Sequence, residues 1–357
     1  MPAFAVETPP RSYKAVVERG VLDRMADYVP ERAGKLFVVS TEDVWQLYGA
    51  KLGRALGRVP HEVLFFPGGE DRKRLASVEA LAEQMVARGG DRSSLLIAFG
   101  GGIINDLGGF LAAIFMRGIP LLQVPTTLLA QVDAGIGGKT GVNLLAGKNL
   151  LGCFHQPLAV LIDPDVLATL PEREYRAGLF EVVKCGVIRS PALFSLMTER
   201  HRDVLARALE LVEQMIAECV RIKAQVVSAD ERESGLRRIL NFGHTVGHAL
   251  EAETGYSKFL HGEAVGFGMR AAVHLAERTG HLSAGDAHAI LDTLRLYGPI
   301  PSLEGIAAGA LVARLRSDKK TVQGRVHFVL PEKIGQVTVV TGIDEAIVHS
   351  AVQDALA

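Results

Sequence analysis

The sequence predicts an α/β N-terminal Rossmann-like domain followed by a mainly α-helical C-terminal domain. Three observations carry that expectation. Short, continuous apolar runs alternate with helical patterns through the first half. One of those runs ends in three consecutive glycines. After Pro164, apolar residues recur almost entirely at helical spacing.

KLFVVST (35–41) and EVLFFPGGE (62–70) are the first strand candidates. SVEALAEQMVARG (77–89) has helical periodicity and stops at Gly89 and Gly90. SLLIAFGGG (94–102), PLLQVPT (120–126) and LAVLIDP (158–164) supply further strands. Runs that are apolar on both faces belong in a mostly parallel sheet covered on both sides. Beyond them, PEREYRAGLFEVVKCGVI and HGEAVGFGMRAAVHLAERTG are helical, and strand-like alternation returns only at GRVHFVLP (324–331) and GQVTVV (335–340). These patterns place an α/β nucleotide-type domain at 1–168 and a mainly helical domain at 169–357. The cleft between two such domains is the expected site.

A chain of 357 residues, 48% hydrophobic and 22% charged, has a substantial core. Its formal net charge of −1 gives no global attraction to nucleic acid or an anionic membrane. The three cysteines, Cys153, Cys185 and Cys219, form no C-x-x-C pair, and buried thiols in a reducing cytoplasm are expected. The N-terminal stretch lacks a secretory signal pattern, and no apolar run qualifies as a membrane span.

Several motifs carry chemistry. FGGGIIND (99–106) joins a strand to a helix, a setting where glycines bring backbone N–H groups close to a pyrophosphate. A tight βα turn would use the same letters equally well. VPTTLLAQVDAGIGGKTGVNLLAGKN (124–149) reads as a loop rich in Gly, Thr and Lys, suited to phosphate. Its Gly-Lys-Thr at 138–140 is not a P-loop, because Asp133 stands where the first glycine is required. Glu181 and Lys184 share a helix face among apolar neighbours, which favours a cleft over a surface ion pair.

Arg237, Asn241, His244 and His248 step by four, three and four. They would form one helical stripe if Gly243 does not break it. His261 opens a later helical pattern. A carboxylate with two imidazoles is a catalytic metal environment. Spacing favours His244 and His248 as a pair, with Glu181 or His261 as third ligand. Lys319 and Lys320 lie in RLRSDKKTVQG, where local evidence favours a solvated loop.

Taken in order, FPGGEDRK, GGGIINDLGGF, QVPTTLLAQVDAGIGGKTGVN, GKN, EVVK, KAQVVSADERE, LNFGHTVGHALE, LHGEAV and DKK make nearly the whole chain resemble the 3-dehydroquinate synthases of the sugar-phosphate cyclase family. The resemblance implies an NAD-dependent carbon–oxygen lyase, a homodimer, acting second in the shikimate pathway. It would convert 3-deoxy-D-arabino-heptulosonate 7-phosphate to 3-dehydroquinate and phosphate. The steps would be transient oxidation by NAD, phosphate elimination, re-reduction, ring opening and aldol closure.

The resemblance also assigns residues. Zinc or cobalt would be held by Glu181, His244 and His261. Lys184, Lys223, Arg237, Asn241, His248 and the Lys319–Lys320 pair would line the substrate site. Asp133, Lys139, Lys148 and Asn149 would face substrate and cofactor, and Arg117 would reach the neighbouring subunit's phosphate. NAD would meet Glu70, Lys73, Gly101, Gly102, Ile103, Ile104, Asn105, Asp106, Thr126, Thr127 and Thr169. Two departures stand out: Asn105 occupies a usual glycine of GGGxxGD, and Gly68 a common aspartate; neither removes a catalytic group, so retained activity is expected. Valiolone- or inosose-forming cyclases are the rivals within the family, but Lys223, Arg237 and Asn241 together favour a carboxylate-bearing substrate. A metal-dependent dehydrogenase of the glycerol dehydrogenase type would not need so many phosphate-directed cations. A non-catalytic nucleotide-binding protein would not need a metal triad.

Overall fold

A computed structural model describes residues 2–57, 59–317 and 326–357, so Lys319 and Lys320 lie outside the described residues. The chain divides into two compact units. Met1–Pro171 and Val212–Arg232 form one; Glu172–Leu211 and Glu233–Ala357 form the other.

The first unit is built on a seven-stranded sheet. Its strands are β1 (Ala3–Val6), β2 (Tyr13–Val17), β3 (Leu36–Ser40), β4 (His61–Phe65), β5 (Leu95–Gly100), β6 (Leu121–Pro125) and β9 (Ala159–Ile162). The order is β1-β2-β9-β6-β5-β3-β4, and every pairing except β1 with β2 is parallel. Alternation explains the two covered faces. Phe37, Val39, Leu96 and Ala98 point into a core shared with helices α2 (Leu75–Ala87) and α3 (Gly102–Ile114). Leu36, Val38, Leu95, Ile97 and Phe99 point the other way, towards α1 (Glu42–Leu56). The sheet expected from the apolar runs is thus present.

The stretch 124–149 is more ordered than the loop its composition predicts. A π-helical turn (Ala130–Ala134) leads into an antiparallel hairpin of β7 (Lys139–Leu144) and β8 (Gly147–Phe154). Glycine density masked this hairpin, because period-2 alternation is lost where Gly alternates with other residues. The greater part of α7 (Leu209–Ala229), from Val212 on, also belongs to this unit.

The second unit contains α4 (Glu172–Arg189), α5 (Pro191–Glu199), α6 (His201–Leu205), α8 (His244–Glu253), α9 (His261–Arg278), α10 (Ala284–Leu296), α11 (Ala308–Ser317), the hairpin β10 (His327–Lys333) with β11 (Gln336–Thr341), and α12 (Glu345–Leu356). No helix among the described residues is long and apolar enough to cross a membrane. No disulfide joins the three cysteines.

Two glycines set the geometry of its centre. Gly262 packs so tightly on α4 that a Cβ there would lie 1.9 Å from the Ala177 carbonyl oxygen. Helix α9 therefore begins directly against α4, one turn before Glu181. Gly243 adopts φ 82°, and a Cβ there would also meet the Val265 carbonyl at 2.7 Å. It ends a 3-10 turn (Leu236–Asn241) and starts α8 at His244. The single stripe of Arg237, Asn241, His244 and His248 is thereby broken: the first two sit on the 3-10 turn, the two histidines on α8.

Candidate active site

Within the second unit, α4, α8 and α9 bring Glu181, His244 and His261 together. The Glu181 carboxylate is fully buried, and neither oxygen has a hydrogen-bond partner among the described residues. It forms an ion pair with Lys184, itself 1% exposed and one turn along α4. The Nε2 atoms of His244 and His261 each lie 3.7 Å from Glu181 Oε1. These distances are too long for hydrogen bonds.

The other ring nitrogens are engaged. His244 Nδ1 stands 3.2 Å from the Phe242 carbonyl, which fixes the tautomer with its N–H there. His261 Nδ1 lies 3.3 and 3.4 Å from the Glu251 carboxylate oxygens. Both imidazoles therefore turn an Nε2 lone pair towards one buried carboxylate oxygen. That donor set, one carboxylate oxygen and two imidazole nitrogens, suits a divalent metal. His248 is close as well, its ring centroid 5.4 Å from that of His244 and 5.7 Å from that of His261. Nitrogens of the three histidines lie within 4.8 Å of one another, so a three-histidine set is the geometric rival. His248 Nε2, however, faces the Glu251 carboxylate at 4.0 Å, whereas the Nε2 atoms of His244 and His261 face Glu181.

The start of α9 is pinned. Glu263 accepts from the Leu260 N–H at 2.8 Å and from the Arg173 fork at 2.7 and 2.8 Å. Arg237 is 2% exposed on the 3-10 turn. Asn241 donates to Glu233 Oε1 at 2.5 Å.

Within the first unit, β3 and β5 are neighbours whose following connections run to opposite sides of the sheet, so their carboxyl ends mark a topological switch point. Gly100 of β5 pairs with Pro125 of β6. The glycine turn and Thr126–Thr127 consequently lie side by side. Gly101 would place a Cβ 3.0 Å from Thr127 Cγ2, and the Thr126 hydroxyl is buried with no hydrogen-bond partner among the described residues. Ile103, Ile104 and Asn105 form the first turn of α3. Asn105 points into the core, donating to the Ala98 carbonyl at 3.3 Å, so its side chain cannot line a ligand.

A polar knot of residues distant in sequence is closed by the hairpin. Lys73, 2% exposed, donates to Asp106 Oδ2 at 2.5 Å and to Asn149 Oδ1 at 2.6 Å. Burial pushes the Asp106 carboxyl above its usual range, while the Lys73 ammonium pulls it back. Lys148 sits 3.6 Å from Glu70. Asn143 ties the knot: it donates to the Glu70 carbonyl and carboxylate at 3.0 and 2.8 Å and accepts from the Asn149 N–H at 2.8 Å. Lys223 of α7 donates to Asp133 Oδ1 at 2.5 Å. Thr169 shares a 2.6 Å hydrogen bond with Tyr48. Lys139 and Arg117 are exposed, and Arg117 holds φ 69°.

Sequence reasoning missed Asn143 and Glu251. Glu251 carried a signal, standing one turn after His248 on the same helix; Asn143 carried none beyond its place in GVN.

Solved structures resemble this architecture over its length. The 2-epi-5-epi-valiolone synthase of Streptomyces hygroscopicus subsp. jinggangensis 5008, solved with NAD+ and Zn2+ bound, matches with a TM-score of 0.90 at 30% identity, covering 98% of each chain. A 2-deoxy-scyllo-inosose synthase complexed with carbaglucose-6-phosphate, NAD+ and Co2+ matches with a TM-score of 0.90 at 26% identity, covering 99% of each chain. Fold and site thus define the sugar-phosphate cyclase class. The model of the 3-dehydroquinate synthase N-terminal region matches residues 63–177, and that of the C-terminal region residues 178–321. A 3-dehydroquinate synthase of Solibacter usitatus (strain Ellin6076) is 64% identical over 357 residues, covering 100% of both chains. The chain belongs to the 3-dehydroquinate synthase family.

Proposed function

We propose that the chain converts 3-deoxy-D-arabino-heptulosonate 7-phosphate to 3-dehydroquinate and phosphate, as an NAD- and divalent-metal-dependent lyase. The observation that carries this reading is full-length identity of 64% to a 3-dehydroquinate synthase.

Glu181, His244 and His261 hold the metal, and the knot of Glu70, Lys73, Asp106, Lys148 and Asn149, with the Gly101–Ile104 turn, Thr126, Thr127 and Thr169, holds NAD. Bound there, NAD supplies a hydride acceptor and the metal supplies Lewis-acid polarisation of a substrate hydroxyl. The remaining work falls to side chains. Arg237 is buried and planar, suited to grip a carboxylate bidentately. Lys139 and one of Lys319 and Lys320 neutralise the phosphate. Lys184, Lys223, Asp133, Asn149 and Asn241 orient hydroxyls. The His248 imidazole, which can both accept and donate a proton, moves the proton lost beside the new ketone.

Arg117 reaches the phosphate bound by a second copy, in a homodimer. Ile114, Met116, Leu144, Leu145, Leu150 and Phe154 support this part, being exposed apolar side chains on α3, the turn after it and the β7–β8 hairpin. Such a patch favours a protein partner. The reading places the enzyme in the cytoplasm.

Phosphate release from the heptulosonate phosphate, with catalytic NAD and no accumulation of NADH, tests the proposal. Absence of phosphate overturns it. Stoichiometric NADH would instead indicate a dehydrogenase.

A further inference from the structure

We infer that Glu251 is a positioning residue for the metal ligand His261. The inference deepens the metal-site reading above and rests on it. Glu251 is 2% exposed, on the last turn of α8, and its two oxygens lie 3.3 and 3.4 Å from His261 Nδ1. A carboxylate there accepts the Nδ1–H, so the ring keeps the tautomer whose Nε2 lone pair faces Glu181. It also raises the basicity of that nitrogen, as outer carboxylates do for metal-bound histidines. The same carboxylate lies 4.0 Å from His248 Nε2. It thus lies beside both imidazoles, holding His261 towards Glu181 through Nδ1. His244 needs no such partner, because the Phe242 carbonyl fixes its ring.

The test is metal affinity rather than turnover. Glu251→Gln, which preserves shape but lowers acceptor strength, should weaken Zn2+ and Co2+ binding by about 10- to 100-fold and shift the visible Co2+ absorption. Glu251→Asp should recover part of the affinity. His261→Ala is the control. If it keeps the metal, the ligand reading itself fails. If it loses the metal while Glu251→Gln binds with unchanged affinity and an unchanged Co2+ spectrum, the inference about Glu251 fails alone. A Glu251→Gln variant that is less stable without metal but equally tight with it would show a merely structural carboxylate and overturn the inference. Should that variant not fold, a crystal structure of the zinc-loaded wild type decides. Expected is His261 bound through Nε2 with Glu251 accepting from Nδ1; coordination through Nδ1, or Glu251 turned away, overturns it.

Discussion

His244 Nε2 stands 3.7 Å from Glu181 Oε1, beyond hydrogen-bond reach, although that oxygen is buried and has no hydrogen-bond partner among the described residues. The Lys184 ammonium pairs with the same carboxylate, and a divalent cation between Oε1 and the Nε2 atoms of His244 and His261 would give that oxygen its own partner.

Metal content should follow the division of labour. His244→Ala and His261→Ala should empty the site. His248→Ala should retain the ion and lose about 10²- to 10⁴-fold in rate, the usual worth of a proton-transfer group. Elemental analysis of the purified variants checks this, and a metal-free His248→Ala protein would refute it in favour of the three-histidine set.

The buried Glu181–Lys184 pair makes a second prediction. Removing one member leaves an uncompensated charge, so Lys184→Ala should cost about 3–5 kcal/mol in the metal-free protein. The loss should shrink when metal is bound, because Glu181 then has another cationic partner. Thermal unfolding with and without Zn2+ measures the difference; equal losses would count against metal at Glu181.

Asn143→Ala should weaken NAD binding. It removes the acceptor for the Asn149 N–H and the donor to Glu70, a change worth about 1–3 kcal/mol where the groups are buried. Calorimetric titration with NAD reads the effect. An unchanged Kd would show that the knot holds itself together without Asn143.

Stability should depend on pH through His155. Burial pushes this imidazole below its ordinary value of 6.5, while its Nε2 lies 3.0 Å from the Ile119 carbonyl. A depressed folded value means the unfolded chain binds the proton more readily. The contribution is therefore complete above pH 6.5 and is lost as pH falls below it. His155→Gln should flatten the pH dependence of the unfolding midpoint over that range, and an unaltered profile would exclude His155 as its source.

Arg117 acting across a dimer makes a complementation prediction. Mixed dimers of Arg117→Ala and His248→Ala chains should regain activity that neither parent has, since one site then carries both groups. Failure to complement in demonstrated heterodimers would place Arg117 in its own subunit's site or outside the chemistry.

Much of this was legible in one dimension. Apolar runs with period-2 burial on both faces determined a covered parallel sheet, and the glycine triplet after SLLIAF determined a strand-to-helix turn there. The chemistry of the helical unit was legible in residue types: two imidazoles one turn apart on α8, a Glu and a Lys one turn apart on α4, and His261 at a helix start. Periodicity reports only which residues share a local face, however. It could not show that Gly243 turns left-handed and separates Arg237 and Asn241 from the histidines, because glycine permits many conformations and the close approach of α9 at Val265 and Met269, which leaves no room for a Cβ, is a tertiary contact. Nor could it see the β7–β8 hairpin within its glycines, or the role of Asn143 in closing the Lys73 knot. Tertiary packing alone decided that Glu251 faces His261, since the close approach of α9 to α4 at Gly262 sets where that ring stands. Sequence determined which ligand atoms the chain carries; the contact of three helices decided which of them meet.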